Sequence, residues 1–239
     1  MNRTHLVINP ASGGGKVKKI GAATAELLHK RNLKFHQILE NSAASTNHSL
    51  NTELSKGDIE RIVLVGGDGS VHLIIQALAL TEIQLIVIPA GTGNDFVRAQ
   101  NLPLNNPAEI LNHSFSKPAE AIDLGFAGGE YFADILSTGF DSVVNERANR
   151  IKFIRGPIKY NVAIALELPI FKPKIYRFTV DGEPFESKAM LIAVANGSSY
   201  GGGMQVCPSA SITDGLFDVM ILAPVSKIEF LKVFPKVFS

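Results

Sequence analysis

The sequence predicts an α/β protein of two domains, an N-terminal doubly wound parallel sheet followed by a mostly β, sandwich-like unit. Three observations predict it. Unbroken Val/Ile/Leu runs alternate with helical stretches through the first half, the pattern of strands covered on both faces by crossover helices. After Pro118 the pattern changes to short strand candidates separated by Gly, Asp and Pro turns. The chain has 239 residues, 46% apolar and 19% charged, enough for two modest cores.

Leu6-Val7-Ile8 reads as the first buried strand, stopped by Asn9-Pro10. Ile20, Ala23, Leu27 and Leu28 recur at helical spacing and predict a helix over 17–32. Strands are expected at 35–39, 62–65 and 85–88, with a helix over 71–80 between the last two. Right-handed crossovers then build a parallel sheet. In the second half, strands are expected at 121–124, 131–136, 175–180, 189–195 and 217–222, with Asp181-Gly182 as a hairpin turn. Helices are expected at 143–150, at 159–168 and from Val225. The domains are accordingly drawn at 1–120 and 121–239.

A formal net charge of +1 exerts no global pull toward nucleic acid, and no basic stripe interleaved with aromatics suggests such a partner. The histidines lack zinc-ligand spacing. A single cysteine, Cys207, excludes an internal disulfide and fits a reducing compartment, with cytoplasm as the expectation. No apolar run reaches the ~20 residues a membrane span needs.

In an open parallel sheet, ligands sit beyond the carboxyl ends of the strands. Three loops there carry unusual residues. Asn9-Pro10-Ala11-Ser12-Gly13-Gly14-Gly15-Lys16 is a glycine run entering a helix, without P-loop spacing; it reads equally as an anion site or a plain connector. Gly66-Gly67-Asp68-Gly69-Ser70 follows one strand and opens an apolar helix. Its glycines permit positive φ and close phosphate approach, and Asp68 can hold a metal or position a hydroxyl. Read alone, it is also a tight turn with Asp68 as helix cap. Gly91-Thr92-Gly93-Asn94-Asp95-Phe96 follows the next strand and should lie beside it. Two neighbouring loops with Gly and Asp at one sheet edge favour a phosphate site over two unrelated turns.

These three loops, with Arg98, resemble the signature loops of the diacylglycerol kinase catalytic-domain family in order and spacing. Asn196-Gly197, Gly201-Gly202-Gly203-Met204, Pro208-Ser209-Ala210 and Asp214-Gly215-Leu216-Phe217-Asp218 resemble the β-domain motifs of its bacterial lipid kinases. The resemblance covers nearly the whole chain and implies phosphoryl transfer from ATP to the hydroxyl of diacylglycerol or a related lipid. It implies nucleotide contacts from Asn9, Gly66, Gly67, Asp68, Gly69, Ser70, Thr92 and Asn94. Asp68 and Asp95 would organise metal-bound water and the acceptor, with Lys16, Arg98 and Asp123 completing the charge network. Mg²⁺ would be held by Asp214 and the backbone carbonyls of Ser211 and Leu216, although Asp214-Gly215 alone also reads as a hairpin turn.

Departures are visible too. Ser70 stands where the family has Thr, and His72-Leu73 replaces a polar pair. The family's Asp-Gly-Glu motif near the C-terminus has no counterpart before Ser239, so the second domain is expected to be truncated. Asp181-Gly182-Glu183 imitates that motif inside an earlier hairpin and reads as a turn. The segment 151–174 mixes Phe153, Ile154, Ile158, Leu166, Ile170 and Phe171 with Lys152, Arg155, Lys159, Lys172 and Lys174. It reads either as a docking element for the inner face of a membrane or as a helix burying one face under solvated lysines. A homodimer is compatible with the sequence, which leaves oligomeric state open. The competing functions are a NAD kinase, sharing the glycine-aspartate turn, and a non-catalytic nucleotide-binding protein.

Overall fold

The structure, a computed structural model, describes residues 3–10, 16–151, 153 and 158–234. Four parallel strands, β1 (Thr4–Ile8), β2 (Phe35–Leu39), β3 (Arg61–Gly66) and β4 (Gln84–Pro89), form one sheet in the order β2-β1-β3-β4. Alternate residues of these strands face opposite cores. Val7, Ile62, Leu64 and Val87 pack with Leu50 of α2 (Ala43–Leu54) and with Val71, Ile74, Ile75 and Leu78 of α3 (Asp68–Leu78). Leu6, Ile8, Val63, Val65, Ile86 and Ile88 pack with Val17 and Leu28 of α1 (Lys16–Lys30) and with Ile110 and Leu111 of α5 (Pro107–Ser116). The two-sided burial explains why these strands read as continuous apolar runs.

Between β4 and α5 lies a single-turn helix, α4 (Asp95–Ala99). The strand expected at 121–124 is not formed. The Asp123 N–H bonds the turn carbonyl of Ile212 at 2.7 Å instead of a ladder partner, and pairing begins with β5 (Gly125–Ala127) and β6 (Glu130–Phe132). That hairpin packs on α3, where the Gln76 side chain exchanges two bonds with the Tyr131 backbone, at 2.8 and 2.9 Å. Ile122, Leu124, Tyr131 and Ala133 thereby join the first domain's core. The strand expected over 131–136 is split at Asp134, whose carbonyl accepts N–H groups from Asn196 and Gly197.

The second domain is built on an antiparallel sheet, β13-β10-β7, of β7 (Ile135–Gly139), β10 (Leu191–Ala195) and β13 (Asp218–Leu222). Two hairpins accompany it, β8 (Lys174–Val180) with β9 (Glu183–Ala189), and β11 (Ser199–Tyr200) with β12 (Met204–Gln205). Asp181 and Gly182 turn the first hairpin at φ 49° and 89°, as a two-residue Asp-Gly loop requires. Helices α6 (Phe140–Arg150), α7 (Ile158–Glu167) and α8 (Lys227–Val233) close a separate core around Phe140, Val144, Ala163, Met190 and Phe230.

The turn after β3 differs from its sequence reading. Gly67, not Asp68, is the cap of α3, and Asp68, Gly69 and Ser70 already lie in its first turn. None of Gly66, Gly67 and Gly69 has a positive φ. Smallness selects the first two. A Cβ on Gly66 would stand 2.6 Å from Ser70, and one on Gly67 would stand 2.7 Å from the Cα of Gly91. Among the described residues nothing lies within 4 Å of a Cβ added to Gly69. Gly91→Ala, whose Cβ would meet the Gly67 Cα at 2.6 Å, is expected to lower the unfolding free energy by roughly 1–3 kcal/mol. Gly69→Ala is expected to leave it unchanged or raise it by up to about 1 kcal/mol. Urea unfolding of the two variants checks the contrast, and equal losses would refute it.

Candidate active site

The site lies where β3 and β4 end. Their register sets Gly66 opposite Pro89, and the Ala90 N–H bonds the Gly66 carbonyl at 2.8 Å. Asn94, left-handed at φ 55°, shapes the following loop. Its carboxamide accepts from the Gly91 N–H at 2.9 Å and donates to the Gly91 carbonyl at 3.1 Å. From the first loop, the Asn9 amide donates to the Ser70 hydroxyl at 3.0 Å; both residues are buried. Ala11 to Gly15, the rest of that loop, lie outside the described residues. Lys16 is exposed at the start of α1.

Two carboxylates flank Gly93. A Cβ there would lie 2.7 Å from Asp68 Oδ2 and 2.9 Å from Asp95 Oδ2. Asp68 accepts the Phe96 N–H at 3.3 Å. Burial first, and the Asp95 charge second, raise its carboxyl above the ordinary range, opposed by the amides of Phe96, Asn94 and Asp95. Asp95 accepts from the Gly202 and Gly203 amides, both at 2.8 Å. Arg98 donates to the Gly93 carbonyl at 3.1 Å. Asp123 accepts the Gly215 N–H at 2.7 Å, so it shapes the 212–215 turn. On that turn, Asp214 is exposed and accepts the Leu216 N–H at 3.0 Å. Thr92 and Gly69 are exposed at the rim of the loop pair.

A third carboxyl, Asp134, was not anticipated. It sits between β6 and β7, with Oδ1 buried and without a hydrogen-bond partner among the described residues. Burial first, then the charges of Asp68 and Asp95, push its carboxyl up to about 8. It therefore carries a proton at neutral pH. A carboxylate inside the apolar run 131–136 was the available signal. A further, half-buried carboxyl, Asp141, receives the hydroxyls of Ser137 and Tyr200 on Oδ2, and burial raises it as well.

The arrangement can hold an anion. The amides that open a helix favour negative charge; in α3 the Ser70 and Val71 amides bond the Gly67 carbonyl, and those of Asp68 and Gly69 stand ahead of them, where no described residue lies within 4 Å of a Cβ added to Gly69. Among the described residues no three His, Cys, Asp or Glu side chains converge as a metal site. The oxygens expected around Mg²⁺, one Asp214 carboxylate and two backbone carbonyls, are hard donors on an exposed turn, and that chemistry fits the ion.

Known proteins match this chain over nearly its whole length. Residues 3–127 match the model of the diacylglycerol kinase catalytic domain, and residues 134–239 match that of the YegS C-terminal NAD kinase beta sandwich-like domain. A diacylglycerol kinase of Mycobacterium tuberculosis is 37% identical over 100% of this chain and 79% of its own length. A diacylglycerol kinase of Bacillus subtilis is 28% identical over 98% of this chain and 78% of its own. A crystal structure of a diacylglycerol kinase from Bacillus anthracis superposes with a TM-score of 0.75 at 24% identity, covering 98% of this chain and 78% of that one; this likeness concerns the fold. Fold, loops and relatives together define a lipid kinase. More narrowly, the chain belongs to the diacylglycerol kinase catalytic-domain family.

The protonated Asp134 has a measurable signature. Unfolded, the carboxyl ionises near its ordinary value; folded, it must keep its proton up to about pH 8. Its contribution is therefore complete below pH 4 and lost as pH rises toward 8. Asp134→Asn removes this dependence. Its stability relative to the wild type should climb by roughly 1 kcal/mol per pH unit between pH 5 and 8 and level off above. Chemical denaturation across that range checks it; a difference independent of pH would show that Asp134 ionises normally.

Proposed function

We propose that this protein transfers the γ-phosphoryl group of ATP to the hydroxyl of diacylglycerol or a related lipid. The observation that carries the reading is the paired loop beyond β3 and β4. Gly67 and Gly91 touch backbone to backbone, and α3 begins at Asp68 and Gly69, beside the Asp68 and Asp95 carboxylates, with no described residue within 4 Å of a Cβ added to Gly69. The names of the curated relatives supply the acceptor class.

In this reading the nucleotide phosphates lie against the first turn of α3, with Gly69 admitting their close approach and Thr92 contacting them from the neighbouring loop. Asn9 and Ser70 act one step back, by holding the first two loops together. Asp68 faces the chemistry. Its raised carboxyl is a better proton acceptor near neutral pH than an ordinary one, while both Asp95 oxygens are engaged by backbone amides. Lys16 and Arg98 offset phosphate charge. Asp214, with the carbonyls of Ser211 and Leu216, would hold Mg²⁺, which when bound neutralises phosphate charge during transfer. Asp123 supports that turn through Gly215.

The second domain's likeness to a NAD kinase sandwich keeps one rival specific. Labelled ATP offered with diacylglycerol or with NAD separates the two: label is expected on the lipid, and label on NAD alone would overturn the proposal. Asp68→Asn should lower kcat by about 100-fold or more. Gly69→Ala should instead raise the KM for ATP in a fully folded enzyme.

The acceptor must be drawn from a lipid surface. No described helix is long and apolar enough to cross a membrane. One face of the segment 151–174 is buried, with Ala163, Leu168 and Phe171 in the second domain's core, while Phe153, Ile158, Leu166 and Ile170 are exposed near Lys159, Lys172 and Lys174, a surface suited to peripheral docking. Lys152, Ile154 and Arg155 lie outside the described residues. Sedimentation with vesicles is expected to pellet the protein on anionic but not on neutral bilayers; absence from both pellets would rule docking out.

A further inference from the structure

Asp95 is 4% exposed, and its partners come from the other half of the chain. Gly202 donates to Oδ2 and Gly203 to Oδ1, each at 2.8 Å, and the Ser199 hydroxyl stands 3.5 Å from Oδ1. Gly201, Gly202 and Gly203 have φ of 64°, 93° and 101°. Only glycine adopts such a run without strain, and turns of this kind aim successive N–H groups into one anion-binding concavity. Here the anion is the side chain of Asp95. The same hairpin is fastened to its own domain through the Tyr200 hydroxyl, which donates to Asp141 at 3.4 Å. Arg98 reinforces the junction from the first domain, bonding the Gly93 carbonyl while its guanidinium lies 3.4 Å from where a Gly203 Cβ would stand.

We infer that Asp95 is a positioning residue, a carboxylate latch that seats the Gly201-Gly202-Gly203 turn on the Thr92 loop and so fixes the spacing of the two domains around the reacting groups. Its consequence for catalysis rests on the lipid-kinase reading; the latch itself does not. The carboxylate form is required because both backbone partners are donors. An Asn at this position can accept from one amide, but turns its own NH₂ group toward the other, leaving a buried donor unpaired. Nothing in this role uses Asp95 as a proton carrier. The bonds that shape the nucleotide loop, between Asn94 and Gly91, are separate from it.

The test combines amide exchange with a kinetic cycle on the full chain. In Asp95→Asn, exchange across residues 199–205 should quicken about tenfold or more, while exchange across β1 and β3 stays unchanged, which controls for folding. A fluorescent ATP analogue should bind within about threefold of wild type, whereas kcat should fall about 30-fold. Gly202→Ala approaches the latch from the other side. Among the described residues its added Cβ meets only the Gly93 Cα, at 3.8 Å, but its φ of 93° is strained. It should reproduce the pattern, and the double variant should be no worse than the poorer single one by more than about threefold. Unchanged exchange at 199–205, a loss confined to nucleotide affinity, or multiplied effects in the double variant would each overturn the latch. Should the wild type label no lipid while exchange behaves as stated, the lipid-kinase reading falls and the latch stands.

Discussion

Two backbones touching at Gly67 and Gly91 are the contact from which the site is assembled. Neighbouring parallel strands lie about 4.8 Å apart, so the chains leaving β3 and β4 emerge close together. Side chains at their first turns would force them apart. With a glycine on each, α3 begins alongside the loop that Asn94 shapes. Asp68 then reaches the Phe96 amide, and Asp68 and Asp95 come to lie on either side of Gly93. A β-carbon at Gly67, Gly91 or Gly93 would meet one of these groups at under 3 Å. The contact therefore governs both the shape of the surface beyond β3 and β4 and the placement of its carboxyls.

Three carboxyls in one partly dry junction repel one another, and the protein treats each differently. Asp95 receives two amides across the domain boundary. Asp68 receives amides at the start of α4 while burial and Asp95 push it upward. Asp134, without a partner for Oδ1 among the described residues, keeps its proton. Limiting the charge in this way matters for the phosphate site proposed above, because each added negative charge there would oppose binding. Lys16 and Arg98 at the same edge work in the favourable direction.

Much of this was legible in the chain. Strands β1 to β4 were readable because burial on both faces removes polar interruptions, and the Asp181-Gly182 hairpin because its turn demands positive φ. Helix α2 was not, since only Thr46 and Leu50 of its twelve residues are buried, leaving almost no periodic signal. Helix α5 did carry a signature, with Asn106 capping the Glu109 amide and Pro107 at its first turn, which apolar spacing alone passes over. The break at Asp134 was hidden because the carbonyl bonds that cause it come from Asn196 and Gly197, more than sixty residues away.

By itself, then, the sequence determined the layered α/β plan, the three glycine-bearing loops and their kinship with lipid kinases, because strand burial, turn chemistry and motif spacing are local properties of the chain. Tertiary structure alone decided what each residue in those loops does. Gly66 is small for the sake of the Ser70 side chain and Gly67 for the backbone of Gly91, whereas no described residue lies within 4 Å of a Cβ added to Gly69. Asn9 and Ser70 bind each other, and Asp95 is taken up by a turn over one hundred residues further on. Asp134 becomes an acid only through burial beside two other carboxyls. Such assignments depend on distances between remote segments, and no local pattern of residues encodes those distances.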